Sequence, residues 1–547
     1  MSERLRIVGG RVYDPANGVD GEVRDICIDR GRIVETVEEK ARTLDASGLV
    51  VMPGGVDLHS HIAGPAVNLA RRLEPERRQK HPRKGAPSGG GRVRSGTCGT
   101  VPSTFATGQL YSLLGYTTAF DAAVPLLGAR QAHLELADTP LLDTGFYLVL
   151  GNDAFLRDPI EARDAARVKD TLAWALGAAR AYGVKVVSPG GVEAWKTSRA
   201  NLGLDEPVPG RATTPRRILQ MVAEAADGLR LPHPMHLHCN DLGVAGNVET
   251  TLATMRALDG RRTHLAHLQF HAYGGEAGGR PTSAARAVVE ELNRSKNLSA
   301  DCGQVLFGPA MAMTADSRVG EMLADLSGGR WVDSDLELEG GCGIVPYEYR
   351  DRSHVHQVQF VAGLELLLLS EDPWRLVLST DHPNGALFTR YPLLIRLLMD
   401  RAFRDEALRH LRPEALVGSP LLDGLSREYT LGEIAVITRA GPARLLGLSR
   451  KGHLGPGADA DLALYSPESD VERMFTTPRY VFKGGALACA DGVVRSPDDG
   501  HTLYTAPQFD PAIERSLRTL VESEGTVPWD DYAIGRDELR LPEGEAP

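Results

Sequence analysis

Short apolar runs bounded by glycine or polar residues occur at both ends of the chain. They include residues 5–8, 25–28, 49–52, 458–465 and 480–485. Runs of this kind, separated by tight turns, are typical of β-strands. Because the two sets lie at opposite ends of the sequence, we expect residues 1–53 and 430–500 to meet in one small β-sandwich.

Between these ends, strand-like apolar runs alternate with segments of helical length over residues 54–429. This alternation predicts the α/β class and a (β/α)8 barrel, in which functional side chains lie at the carboxyl ends of parallel strands. Two segments interrupt the pattern, residues 62–110 and residues 330–357, and we expect the second to be a structured loop. Residues 501–547 have the pattern of a surface tail.

The first interruption is strongly basic. Between Arg71 and Arg94 it carries nine arginine or lysine residues against Glu74 and Glu76. It is either a solvated loop or a basic lid over the mouth of an active site. As a lid it would attract a polyanionic substrate through charges such as those of Arg71 and Arg72.

Composition narrows the class of protein. The 547 residues carry a formal net charge of −11, which gives no reason to expect nucleic-acid binding. No apolar run has the length of a membrane span, and the first residues lack the apolar core of a signal peptide. The six cysteines are scattered without a Cys-x-x-Cys motif, which argues against a disulfide framework or an iron–sulfur site. We expect a cytoplasmic protein of two or three domains.

The strongest candidate for chemistry is the pair His59 and His61. It follows the strand-like residues 54–58, and residues i and i+2 of a strand point to the same face. Two imidazoles placed in this way can bind one metal ion together. The motif alone is weak, because the chain has further His-x-His pairs at residues 236–238 and 354–356.

Four later residues strengthen this interpretation, because each lies near the end of a strand-like run: Lys185, His238, His267 and Asp381. We favour His238 over His236, which we expect to lie below the metal as a hydrogen-bonded neighbour. His264 and His267 have an odd spacing, which in a strand would place them on opposite faces. We expect His267 to be the one that points inward.

Lys185 and Asp381 each allow two interpretations. Burial disfavours the ammonium form of a lysine, and a neutral amine can take up carbon dioxide to give a carbamate with two oxygen donors. The alternative is a lysine paired with a nearby carboxylate. Asp381 ends an apolar run and could be either a catalytic carboxylate or a helix cap.

Taken together, the order His-x-His, Lys, His, His, Asp resembles the amidohydrolase superfamily over nearly the whole chain. Residues 49–61 resemble its first-strand motif and residues 379–382 its last-strand motif. The resemblance implies a distorted TIM-like barrel with a small β-sandwich formed by both termini. It implies two divalent metal ions, most simply zinc, with Asp381 as general base and then general acid. The implied ligands are His59, His61, His238, His267, carboxylated Lys185 and Asp381.

Within the superfamily, a narrower resemblance is to the A-type subunits of formylmethanofuran dehydrogenase and of the formyltransferase/hydrolase complex of methylotrophs. It rests on residues 59–75, 185–192, 236–240 and 341–347. It implies hydrolysis of N-formylmethanofuran, or of the bacterial analogue methylofuran, to formate and the free amine in one-carbon metabolism. It also implies B-type and C-type partner subunits, a D-type formyltransferase, and a polyanionic furan carrier contacted by Asn240, Arg71 and Arg72.

Two alternatives remain open. A cyclic amidase of the dihydropyrimidinase or hydantoinase type would share the same metal ligands, although the basic segment 62–110 suggests a longer, charged substrate. A barrel subunit that has lost its metal could act as a scaffold, although the complete ligand set argues against this.

Overall fold

A computed structural model describes residues 4–73, 100–198, 202–276, 279–314, 316–328, 332–333, 343–422, 424–495 and 500–542. Within these ranges, every helix is too short or too polar to cross a membrane. The strands, numbered in chain order, are β1 Leu5–Asp14, β2 Val19–Asp29, β3 Arg32–Val34, β4 Arg42–Asp45, β5 Val50–Pro53, β6 Gly55–Ser60, β7 Tyr116–Val124, β8 Asp143–Val149, β9 Gly183–Val187, β10 Met235–His238, β11 Thr263–Leu265, β12 Tyr273–Gly274, β13 Thr282–Ser283, β14 Leu298–Asp301, β15 Gly308–Thr314, β16 Val332–Asp333, β17 Gly343–Tyr349, β18 Leu376–Val377, β19 Leu462–Tyr465, β20 Tyr480–Lys483, β21 Ala486–Ala490 and β22 Val493–Val494.

Several of the α-helices begin directly after a side chain that caps their first turn. Asp164 accepts a hydrogen bond from the backbone N–H of Arg167 at 3.0 Å, and Thr214 accepts one from that of Arg217 at 3.4 Å. The helices are Pro65–Leu73, Thr104–Ser112, Ala129–Ala137, Ala154–Glu161, Ala165–Ala179, Gly191–Ser198, Pro215–Gly228, Val248–Ala257, Ala285–Arg294, Ser317–Ser327, His354–Leu369, Tyr391–Met399, Arg401–Arg409, Leu431–Ala435, Gly441–Leu446, Val471–Thr476 and Ile513–Glu524.

Eight parallel strands form the central sheet, in the order β6-β7-β8-β9-β10-β11-β14-β18. The two edges approach each other beyond β18. Ser60 forms a parallel bridge with His382, and the backbone N–H of His61 donates to the carbonyl of His382 at 2.7 Å. The predicted α/β class and TIM-like barrel are therefore confirmed.

Strand β9 shows how the barrel presents polar groups to its interior. Val184 and Val186 belong to the main apolar core, and each is 0% exposed. Lys185 lies between them and lines the interior cavity instead. Burying a valine side chain contributes roughly 1.5–3 kcal/mol, so the two valines hold the strand in the register that turns the lysine inward.

Both ends of the chain pair in one mixed sheet, as expected from their apolar runs. Its order is β22-β21-β20-β19-β5-β1-β2-β3, and β4 pairs with β1. The two ends meet where β5 runs antiparallel to β19. The buried side chains of this sheet include Ile7, Ile28, Val51, Leu462 and Leu464. The division of the chain at residues 53, 429 and 500 stays a prediction.

A buried ionic cluster joins this sheet to the barrel. Asp143 begins barrel strand β8, and its carboxylate lies 2.7 Å from the ammonium of Lys483. Lys451 contacts Asp143 as well and lies 2.7 Å from Asp461. All four side chains are at most 7% exposed, so each charge depends on the others for compensation.

Two segments differ from the sequence expectations. Residues 500–542 pack on the barrel as an outer layer, with Trp529 stacked on Trp174 at 5.1 Å between ring centroids. Leu517 and Val521, one helical turn apart, are buried there, so "surface tail" is wrong for this part. The segment 330–357 is not a loop in its described part, because β17 pairs antiparallel with β15 and a helix begins at His354. Most of the basic run, residues 74–99, lies outside the described residues.

Candidate metal centre

The first candidate ligand group lies where the first and last barrel strands end. His59 is near the end of β6, His61 follows it, and Asp381 lies beyond β18. Asp381 Oδ1 is 3.1 Å from His59 Nε2 and 3.2 Å from His61 Nε2. The three residues, His59, His61 and Asp381, are 0%, 7% and 3% exposed, so their donor atoms converge on one buried point.

The second group lies at the ends of β10 and β11. His238 Nδ1 is 3.1 Å from His267 Nε2, and both residues are buried. His267 has a left-handed backbone with φ of 35°. Gly303 makes room for it, because a Cβ at that glycine would lie 2.3 Å from His267 Cβ.

Lys185 contacts the first group and faces the same cavity as the second. It is 2% exposed, and its Nζ lies 3.5 Å from His59 Nε2. The pKa of His238 is held well below its usual range, chiefly by burial. The pKa of His267 is also held well below its usual range by burial, so both rings are neutral and able to bind a metal.

Asp301, which no sequence pattern had singled out, lies below the first group. Its Oδ2 is 2.8 Å from His59 Nδ1, and its Oδ1 accepts a hydrogen bond from the backbone N–H of His267 at 3.0 Å. Burial opposes protonation of His59, but the carboxylates of Asp301 and Asp381 together outweigh it and raise the pKa of His59 to about 9. Asp301 ends barrel strand β14, and this position after an apolar strand is the signal that could have found it.

The two histidines not chosen as ligands also lie in the barrel interior. His236 Nε2 is 3.1 Å from His59 Nδ1, a neighbour of the first group as expected. His264 Nε2 is 3.3 Å from Asp301 Oδ2, so His264 points inward too. The expectation that His264 and His267 face opposite sides is wrong, because β11 ends at Leu265 and the alternation of a strand stops there.

A second carboxylate that the sequence did not reveal fixes the strand that carries His59 and His61. Asp57 accepts hydrogen bonds from the hydroxyls of Tyr111 at 2.7 Å and Tyr391 at 2.6 Å. Burial raises its pKa to about 6, although these hydrogen bonds oppose the shift. The strand end is therefore anchored to two of the surrounding helices.

A cavity of about 160 Å³ opens over both ligand groups. Its polar side includes His61, Lys185, His238, His267 and Asp381. The opposite side is apolar and is formed largely by the helix Ser317–Ser327 and strands β15 and β17, including Ala312, Met313, Val319, Met322, Leu323 and Leu326. Met322 and Leu326 are 44% and 67% exposed, so the apolar wall continues outward to the surface.

The three residues expected to contact substrate are placed differently. Asn240 is buried and donates to the carbonyl of Pro189 at 3.1 Å, and it is not among the residues that line the cavity. Arg71 donates to the carbonyl of Ile62 at 2.8 Å and pairs with Glu135 at 3.2 Å, so its charge serves the local fold. Arg72 is exposed on the same helix. None of the three lines the cavity over the ligand groups.

The donor set fits two divalent metal ions. His59, His61 and Asp381 form one group of converging ligand atoms, and His238, His267 and His271 form another. In the second group, the converging nitrogens are His238 Nδ1 and His267 Nε2, which lie 3.1 Å apart. Nitrogen and carboxylate donors in this number are those that zinc prefers.

Comparison with known proteins agrees with this geometry. The model of the amidohydrolase family matches residues 42–488. The chain therefore belongs to the amidohydrolase family.

Within that family, the chain is similar over nearly its full length to two known proteins. It is 42% identical over 523 residues to Protein FwdA of Methanocaldococcus jannaschii, across 92% of this chain and 91% of that protein. It is 38% identical over 556 residues to the A-type subunit of the formyltransferase/hydrolase complex Fhc of Methylorubrum extorquens, across 99% and 97%. A chain in the crystal structure of that complex, FhcABCD with methylofuran, matches with a TM-score of 0.91 and 38% identity over 97% of this chain and 96% of that one.

Proposed function

We propose that this protein hydrolyses an N-formylated furan carrier, N-formylmethanofuran or its methylofuran analogue, to formate and the free amine. The observation that carries the proposal is the convergence of two ligand groups, Lys185 and Asp381 on one cavity. The choice of carrier is supported by the similarity to a protein whose complex was crystallised with methylofuran.

Two divalent metal ions, most simply zinc, would be held by the ligand groups described above. His59, His61 and Asp381 would hold one ion, and His238 and His267 the other. When bound, the two ions would supply Lewis-acid chemistry that polarises the formamide carbonyl and acidifies water.

Lys185 would contribute as a carbamate. Its burial beside His59 disfavours an ammonium group there, and carboxylation replaces the positive charge with two oxygen donors. An uncharged amine would supply one donor, whereas a carbamate could serve both ligand groups. The carboxylated lysine thereby completes the donor set.

Asp381 would move the proton. Burial alone would raise the pKa of this carboxylate, but the histidines around it, His59 first, hold the pKa well below its usual range. Asn384 donates to Asp381 Oδ1 at 2.9 Å and fixes its orientation. Asp381 accepts a proton from the attacking water and delivers it to the departing amine, as a general base and then a general acid.

The apolar wall of the cavity would hold the body of the carrier while the formamide reaches the metal centre. Met322 and Leu326 extend this wall to the surface. The charges of Arg72, Arg77, Arg78 and Lys80 would attract an anionic tail of the carrier. Asn240 would act on substrate only after a local rearrangement, since it does not line the cavity.

The assembly we propose is a formyltransferase/hydrolase complex with B-type, C-type and D-type subunits, located in the cytoplasm. In it, formate release by this chain would be coupled to formyl transfer by the formyltransferase. The support is the similarity to the A-type subunit of such a complex over 99% of this chain.

The proposal is tested by measuring formate release from the formylated furan carrier, with dihydrouracil and hydantoin assayed in parallel. We expect formate from the furan carrier and no ring opening of the cyclic amides. Ring opening without formate release would favour a cyclic amidase. A protein that binds no metal and turns over none of these compounds would be a non-catalytic scaffold subunit.

A further inference from the structure

His271 is a buried histidine beside the second ligand group, and the proposed function assigns it no role. It ends the short helical turn Leu268–His271 that directly follows His267, and it is 0% exposed. Its carbonyl accepts a hydrogen bond from the hydroxyl of Thr251 at 2.8 Å. Neither of its ring nitrogens has a partner among the described residues.

Other buried histidines outside the ligand groups are bonded. His233 lies 2.9 Å from the carbonyl of Leu445 and 3.1 Å from His236. His133 Nε2 lies 3.0 Å from the carbonyl of Ala179. Because buried polar groups are nearly always satisfied, two bare nitrogens on one ring indicate a partner of another kind.

The neighbours of His271 indicate what that partner is. Its ring centroid is 5.3 Å from those of both His238 and His267, and ligand atoms of the three residues lie within 4.8 Å of one another. Two nitrogens bound to one tetrahedral zinc at about 2.0–2.1 Å are roughly 3.4 Å apart, close to the 3.1 Å between His238 and His267.

We propose that His271 is a third nitrogen donor to the metal ion held by His238 and His267. This inference rests on the dinuclear centre of the proposed function and adds a residue to it. The second ion would then have three histidine donors, one from the end of β10 and two from the turn that follows β11, whereas the first has two histidines and a carboxylate.

The test compares the full-length wild type with His271→Gln and with His133→Gln, which removes a buried imidazole far from the centre. Each protein is loaded with Co²⁺, the bound ion is counted by equilibrium dialysis, and hyperfine-shifted imidazole N–H signals are counted by proton NMR. We expect two ions in wild type and His133→Gln. We expect His271→Gln to lose one shifted signal and to bind its second ion more than 100-fold more weakly, beyond the roughly 10–100-fold typical of residues that only support a ligand.

A second variant keeps the test decisive if His271→Gln fails to fold. His271→Cys should retain two Co²⁺ ions and acquire a thiolate-to-cobalt charge-transfer band, because the thiolate replaces the imidazole. A folded His271→Cys protein without that band overturns the proposal. So does a His271→Gln protein that keeps every shifted signal, whatever its affinity. If wild type itself binds no Co²⁺, the dinuclear centre of the proposed function fails, and the role of His271 fails with it. If wild type binds two ions and His271→Gln binds them with the same affinity and the same shifted signals, only the role of His271 is refuted.

Discussion

Replacing Asp301 with asparagine should change how metal binding depends on pH. The carboxylates of Asp301 and Asp381 together raise the pKa of His59 to about 9 against the effect of burial. Below that pH a metal ion must displace a proton from His59, so its apparent affinity rises with pH up to about 9. The asparagine of the variant carries no charge, so burial then lowers the pKa of His59 against Asp381 alone. Between pH 7 and 9, the metal affinity of Asp301→Asn should therefore rise less steeply than that of wild type. The difference should be about tenfold per pH unit.

Above pH 9 the same variant should bind metal more weakly than wild type. The hydrogen bond from His59 Nδ1 to Asp301 at 2.8 Å leaves Nε2 as the donor atom, and an amide at that place can present its own N–H to the ring. A hydrogen bond to a charged group contributes about 1.5–3 kcal/mol. The 10–100-fold loss typical of residues that orient a ligand is about 1.4–2.7 kcal/mol, so the two estimates agree.

The assay is a competition with a chromophoric zinc chelator at several pH values, with Asp153→Asn as a control. Asp153 is a buried carboxylate that accepts from the backbone N–H of Leu156 at 2.9 Å, at the start of a helix away from the centre. This control should leave zinc affinity and its pH dependence unchanged. If zinc affinity rises equally steeply with pH in wild type and in Asp301→Asn, Asp301 does not control the proton on His59.

Four further outcomes are expected. Lys185→Ala should lose metal and activity together, with partial recovery in added short-chain carboxylate; full activity without it would remove Lys185 from the mechanism. Asp381→Asn should stay folded and largely metallated yet lose about 10²–10⁴-fold in rate, and a loss of only a few-fold in stopped assays would point to another base. Replacing Arg72, Arg77, Arg78 and Lys80 with glutamine should raise KM for the full carrier with little change in kcat and reduce its salt dependence; an identical salt response would contradict a role in attracting the carrier. Lys451→Met should lower the free energy of unfolding in urea by roughly 3–5 kcal/mol, because it leaves buried Asp143 and Asp461 undercompensated; a change below about 1 kcal/mol would mean that Lys483 suffices.

The sequence was informative where function depends on strand order. Parallel strands of a barrel end on one face, so residues at successive strand ends meet whatever their separation along the chain. This is why six residues could be named together: His59, His61, Lys185, His238, His267 and Asp381. In the structure the last five line one cavity, and His59 contacts Lys185 and Asp381. Apolar runs at both ends likewise predicted that the termini share a sheet, since each set alone is too small to bury its own face.

Contacts across the barrel could not be read in this way. Asp301 lies 242 residues from His59 along the chain, and no local pattern relates the two, because their contact depends on barrel closure. His267 and His271 lie beyond the end of β11, where the backbone turns left-handed beside Gly303 and strand periodicity no longer applies. The sequence predicted that Arg71 contacts the substrate, whereas in the folded protein it pairs with Glu135 and donates to the carbonyl of Ile62. Local periodicity determines which face a side chain takes within its own strand or helix, whereas its partners are decided by the packing of distant segments, which only the tertiary structure provides.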